Sequence, residues 1–461
     1  MTATRFREIF LGNCLRTWTL AIVLSALSSA AFAQPGYKEL PLNSDLSTWA
    51  KATQSQQHKD SLEMLSGAQQ LNSAKLDSYF SDVLLPFITQ WQDKNVGRTT
   101  VSPLSERYGQ EHGPAGIRIA IKNTYVNKGS NAAAHEELNN VLLKFMDTVA
   151  NDNYHPVVRV NAILLIGDLN ETDPNGAPWK KALPALLKTA TANGPVAIDG
   201  VRVEALRGLV RHARDEKNGI DPELRGQVIT GMLGILAQHA PPAGRSQDGH
   251  DWICWRAIDV LSAIGEPGAN NAVPQALIAI INDPAASITI RCAAADALGK
   301  IKFTPAKDFD VTTLAKSFGK LAIAAVSAEL TAKAPLHSPI TTERLRQDFI
   351  QISHGLTGDN GKSGVLAWTT DAAVQRFISL IDTQLKSLMQ ACDKQPLPQP
   401  ANSADKGGGP VVPIDTQKPI VDALNAAVEG LKTILDRGEA APAAATATPA
   451  AAGKAAAPDF N

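Results

Sequence analysis

Apolar positions recur along this chain at a spacing that strands cannot produce. The segments "VRVNAILLIGDL" from Val158, "VRVEALRGLVRH" from Val201, "ICWRAIDVLSAI" from Ile253 and "IRCAAADALGKI" from Ile290 align without a gap. Each opens on Val or Ile, carries alanine four residues on (Ala162, Ala205, Ala257, Ala294) and an aliphatic residue eight residues on (Ile166, Leu209, Leu261, Leu298). Apolar residues at i, i+4, i+7, i+8 and i+11, as in Val158, Ala162, Leu165, Ile166 and Leu169, draw one stripe on an α-helix, whereas a strand would alternate. The small residue at i+4 is what two helix axes need where they approach to about 8–10 Å.

A second apolar helical stretch precedes each of these segments: "NNVLLKFMDTVAN", "ALPALLKTATA", "ELRGQVITGMLGILAQHA" and "AVPQALIAIIND". Asp, Asn, Gly or Pro separates the two members, so the repeating unit is a helical hairpin. The starts at 158, 201, 253 and 290 lie 43, 52 and 37 residues apart, around the ~40–47 residues usual for such two-helix repeats. The insert "PPAGRSQDGHD" at 241–251 explains the long middle spacing.

The V-R-x-x-A-x-x-x-L/I core, together with an acidic residue in the hairpin turn, resembles the HEAT-repeat α-solenoids, including their lyase-type HEAT-like branch. The resemblance implies an all-α solenoid of stacked hairpins with helical caps. It also implies a ladder of turn aspartates and second-helix arginines, here Asp152 with Arg159, Asp199 with Arg202, and Asp283 with Arg291. The third unit departs, with Cys254 at the arginine position and Arg256 nearby. Four units over 139–301 carry the match, and "TERLRQDFIQISHGL" at 342–356 is a weak fifth.

The flanks divide the chain further. Arg5, Arg7 and Arg16 precede an apolar run that closes on Ala31-Phe32-Ala33, the layout of a cleavable signal peptide over 1–33. An exported protein, periplasmic or extracellular, with no membrane span after cleavage, is expected. Residues 34–95 read as an N-terminal helical cap, which a stack needs to cover its end, and 96–395 as the solenoid. A Pro/Gly linker at 396–416 leads to an isolated amphipathic helix at 417–437 and an Ala/Pro-rich tail at 438–461 too poor in bulky apolar residues to fold.

Composition excludes several functions. Lys plus Arg number 44 against 45 for Asp plus Glu, so no overall field favours nucleic acid. Cleavage would leave Cys254, Cys292 and Cys392, too few for a disulfide framework and best read as small buried residues. No C-x-x-C occurs and "HEELN" lacks the second histidine of H-E-x-x-H, so neither a metal nor a cofactor is expected. "GLTGDNGKSG" at 355–364 misses the first glycine of a phosphate loop and follows a helix, not a strand. In "HPVVRVNAILLIGDLNE", His155 stands before a helix-opening Pro156 and reads as a turn residue, while His212 takes a stripe position held by aliphatic residues elsewhere and reads as a core histidine.

The binding candidates are His250, Trp252, Cys254 and Trp255 in the atypical third unit, where the tryptophans lie three apart on one helical turn. The leading expectation is a non-enzymatic scaffold that binds a protein or cell-envelope polymer. A lyase-like or hydrolytic enzyme with its site at 241–256 is the alternative, and an envelope scaffold tethered through the C-terminal helix and tail is a third.

Overall fold

The computed structural model describes residues 36–91, 113–172, 176–193, 197–215, 220–238, 240–333, 340–359, 361–394 and 417–437. The expected signal peptide, linker and tail lie outside the described residues. Among the described residues there are sixteen α-helices and no strand, only two isolated bridges. In chain order they are α1 Trp49–Gln54, α2 Gln56–Ser66, α3 Ser73–Ser78, α4 Pro114–Ile121, α5 Ala132–Asn151, α6 Pro156–Asp168, α7 Leu183–Ala190 and α8 Asp199–Arg214. There follow α9 Pro222–Leu236, α10 Gln247–Ile264, α11 Ala272–Asn282, α12 Ile288–Lys300, α13 Val311–Lys333, α14 Thr342–Thr357, α15 Ala372–Cys392 and α16 Lys418–Arg437. None is long and apolar enough to cross a membrane.

Five hairpins run through the middle of the chain: α5/α6, α7/α8, α9/α10, α11/α12 and α13/α14. Their second helices α6, α8, α10, α12 and α14 pack on one another in sequence, and the first helices form a looser parallel row. The helix starts follow from local chemistry. Asn131, Asp221, Ser246, Ser287 and Asp371 each accept a backbone N–H of the first turn, and Pro156 and Pro222 open α6 and α9. His155 is itself the N-cap of α6: its Nδ1 accepts the Val157 N–H, and its ring stacks 4.2 Å from that of Trp91.

The stripe expected from the sequence is the buried core. Val158, Ala162, Leu165, Ile166 and Leu169 are fully buried, as are Ala205, Leu209, Ala257, Ala294 and Leu298. The alanines and glycines sit where second helices meet. A Cβ at Gly208 would lie 3.4 Å from Gly167 Cα of the preceding unit, and one at Gly355 only 2.3 Å from Ala295 O. The second of these leaves no room for any side chain, so α12 and α14 meet backbone to backbone.

At the N-terminal end, α1–α3, the segment 79–89 and α4 cover the first hairpin with buried Tyr79, Phe80, Leu84, Phe87 and Tyr125. The hydroxyls of Tyr79 and Tyr125 lie 3.0 Å apart, and that of Tyr125 is 2.7 Å from His58 Nδ1, so the aromatic core of this cap leaves no phenol unsatisfied. At the other end one expectation is corrected. The helix expected to stand alone at 417–437 docks as α16 against α15 and α13, burying Ile420, Leu424, Val428 and Leu431. Its one apolar face explains why: a helix of this kind is stabilised by burying that face, and a linker in sequence does not imply separation in space.

Gly355→Ala should cost more than the ~1–3 kcal/mol typical of overpacking, because the clashing atom is a backbone carbonyl. Urea denaturation would show this as a lowered midpoint, whereas an unchanged midpoint would mean that α12 and α14 are not in contact.

Candidate functional site

The polar residues of the repeat serve the hairpin first. Arg159 Nε donates to Ala150 O at 2.8 Å, Arg202 Nε to Ala190 O at 3.0 Å and Arg291 Nε to Ile281 O at 2.9 Å. Each acceptor lies in the last turn of the preceding helix, where carbonyls lack an intrahelical partner. The repeated arginine therefore closes its own hairpin by a charge-assisted bond of the kind worth about 1.5–3 kcal/mol. The aspartates of the implied ladder hold other partners as well. Asp152 pairs with Lys38, and this lysine above all holds its carboxyl below the usual range, with Arg159 adding a weaker field. Asp199 pairs with Arg245 of the 241–251 insert, folding that insert back on the second unit, and Asp283 accepts the Ala285 N–H within its own turn.

The third unit solves the same problem with different residues. His250, one turn before Cys254, lies 2.7 Å through Nε2 from Gln238 O at the end of the first helix. A carbonyl only accepts, so Nε2 carries the proton. Cys254 Sγ lies 3.6 Å from that same nitrogen, which is thus unable to take the thiol proton. Burial pushes the Cys254 thiol up to about 11, and both residues are buried. They form a structural pair, not a nucleophile and base. Cys292 and Cys392 are likewise buried and free.

Trp252 points the other way. It is 57% exposed, more than any other large apolar side chain among the described residues, and Trp255 on the same face is half-buried under the Arg256 guanidinium at 4.5 Å. The four candidates therefore separate into an inward pair, His250 and Cys254, and an outward pair, Trp252 and Trp255.

From Arg256, one helical turn on from Trp252, a groove of about 380 Å³ crosses the second helices of three successive units. Gly167 and Gly208 line it along with Arg207, Arg211, Arg214 and Arg256. Three carboxylates share the lining, and each has a partner: Asp168 holds Arg118 and Lys122, Glu204 holds Arg207, and Asp259 holds Arg256. Arg211 is bound to the carbonyls of Gly167 and Leu169 and to Asn170 Oδ1, which fixes the end of α6. Arg214 is exposed and has no ion-pair partner among the described residues, and Arg256 Nε is a buried donor with no acceptor. Four arginines against three carboxylates in the lining, one of those carboxylates also held by Arg118 and Lys122, leave the groove positive in a chain that is otherwise balanced, and guanidinium forks favour carboxylate or phosphate ligands. Sequence reasoning passed over these arginines. The signal was present in "RGLVRHAR", where Arg207, Arg211 and Arg214 fall at i, i+4 and i+7 of one helix.

Asp168, near the end of the segment that His155 opens, is accordingly an anchor between α4 and α6. His212 is a core residue with its Nε2 unpaired, beside a small cavity of about 60 Å³ shared with Leu183, Ile220 and Leu224. The loop at 355–364 forms no phosphate cradle with a strand before it: α14 runs directly into it, and Gly358, Gly361 and Gly364 take left-handed conformations.

No known family model and no curated protein matches the sequence. Among solved structures, an engineered protein from a structural-genomics consortium is similar at 13% identity, over 82% of this chain and 92% of that one, with a TM-score of 0.29. A likeness that low carries no argument about fold or function.

Burial, and secondarily the Arg211 charge, pull His212 down to about 3. The unfolded chain titrates near 6.5, so the stability held by neutral His212 is complete above that value and is lost as pH falls towards 3. His212→Leu, the residue type of the other units, should flatten the fall in melting temperature between pH 6.5 and 4. An acid limb as steep as that of the wild type would show that another group controls it.

Proposed function

We propose that this protein is an exported, non-enzymatic HEAT-repeat scaffold that binds an extended, carboxylate-bearing partner, a protein segment or an envelope polymer, across the second helices of its first three units. The observation that carries this reading is the arginine-lined groove, where Arg214 has no ion-pair partner among the described residues, Arg256 Nε is unsatisfied and Trp252 is exposed one helical turn before Arg256. Stacked repeats place equivalent positions of neighbouring helices side by side, which suits a ligand that runs along the stack. The tryptophans supply apolar area at low entropic cost beside the charges, a combination common at binding hot spots. Export is supported by the 1–33 pattern of basic, apolar and small residues, and the HEAT assignment by the V-R-x-x-A core. The hydrolytic alternative has no observation in its favour, since its proposed thiol and imidazole are committed to closing a hairpin.

A photo-crosslinking residue placed at Arg214 should capture the partner in intact cells, while one at Gln275, exposed on a first helix, should not. Adding Arg207→Glu to the first variant should reduce the yield about tenfold or more, because reversing a groove charge sets it against the partner's carboxylates. Equal capture at both positions, or capture indifferent to Arg207→Glu, would overturn the assignment of the groove.

A further inference from the structure

The fourth and fifth hairpins bring together three side chains that no hairpin contact explains. Asp296 lies on α12, His354 in the last turn of α14, and Asp359 in the turn that follows. One carboxylate oxygen from each aspartate and one ring nitrogen of His354 all lie within 4.8 Å of one another. His354 Nδ1 stands 3.5 Å from Asp296 Oδ1 and 3.2 Å from Asp359 Oδ1. These separations are long for charge-assisted hydrogen bonds, which run about 2.7–2.9 Å, and one N–H does not serve two carboxylates well.

The same separations fit the edges of a coordination shell. Metal–ligand bonds of about 2.0–2.1 Å in a tetrahedron place neighbouring donors roughly 3.3 Å apart. A second observation concerns Asp296. Its Oδ2 is bound by Lys300 at 2.7 Å, while Oδ1 is buried and has no hydrogen-bond partner. One oxygen is thus committed and the other is left facing His354. The backbone contact of Gly299 and Gly355 brings the two helices close enough for their side chains to share a ligand.

We propose that Asp296, His354 and Asp359 bind one divalent transition-metal ion of the zinc type, which ties the fourth hairpin to the fifth and to the turn behind it. Three protein donors, one of them an imidazole nitrogen, suit a four-coordinate ion with water in the last position. Calcium, which takes six to eight oxygens, is not matched by this set. The site is independent of the groove and of the reading given to it.

The test uses the untagged full-length chain, stripped with a chelator and titrated calorimetrically with Zn²⁺, with Ca²⁺ in parallel. Wild-type protein should take up one more equivalent of Zn²⁺ than His354→Gln. It should also show the absorption of tetrahedral Co²⁺ when cobalt replaces zinc. Asp359 is 73% exposed, so Asp359→Asn leaves the fold intact and carries the comparison if His354→Gln does not fold. Losing a direct ligand should weaken binding by more than the roughly 10–100-fold typical of losing an outer-shell partner. Absence of saturable Zn²⁺ uptake by the wild type, or equal uptake and affinity in wild type and Asp359→Asn, would overturn the proposal.

Discussion

Close approach of the second helices is the constraint from which the rest of this structure follows. Ala162, Ala205, Ala257 and Ala294 hold the stripe narrow, Gly167 and Gly208 let their helices approach closely, and Gly299 with Gly355 lets backbones touch where a side chain would separate them. Interiors are packed too tightly to absorb an added methyl group without a shift. A small residue at one position per repeat therefore sets how near consecutive units lie. Two features depend on that nearness: the groove, which needs three helices side by side, and the Asp296–His354–Asp359 cluster, which needs donors from two hairpins at one point.

Closure of each hairpin is a separate problem with a repeated solution. An arginine from the second helix reaches a carbonyl in the last turn of the first in units one, two and four, and in unit three His250, one turn earlier, reaches Gln238 O just past the end of the first helix. The departure at Cys254 is thus a substitution of one donor for another. What made the third unit look like a site is a different way of satisfying the same acceptor, and the exposed Trp252 and Trp255 on its other face are the part left over for a ligand.

The stripe was legible in the sequence because burial on a helix follows a local period, and every stripe position from Val158 to Leu298 is buried as that period requires, apart from the half-buried Ile264 at the end of the third unit. The partner of the repeated arginine was not legible, because its acceptor is a backbone carbonyl and any residue supplies one. The groove escaped for a related reason: Arg207, Arg211 and Arg214 are ordinary on a solvated helix until α6 and α10 stand beside them. The docking of α16 was hidden by the linker before it, although its apolar face announced a need for a partner. Donors from α12 and from the end of α14 form no spacing motif at all, since the contact that joins them is tertiary.

The account rests most directly on the meeting of α6 and α8 at Gly167 and Gly208. Installing cysteine at both positions tests that contact, since a Cβ on either glycine would lie 3.4 Å from the other's Cα, which keeps the two Cα atoms within about 5 Å of each other, no farther apart than a disulfide spans. The three native cysteines among the described residues are buried and do not compete. Mild oxidation should give one intramolecular 167–208 disulfide in peptide mapping by mass spectrometry. Two thiols that remain free and react independently in the folded protein would contradict the close stacking of the second helices, and with it the groove that they form.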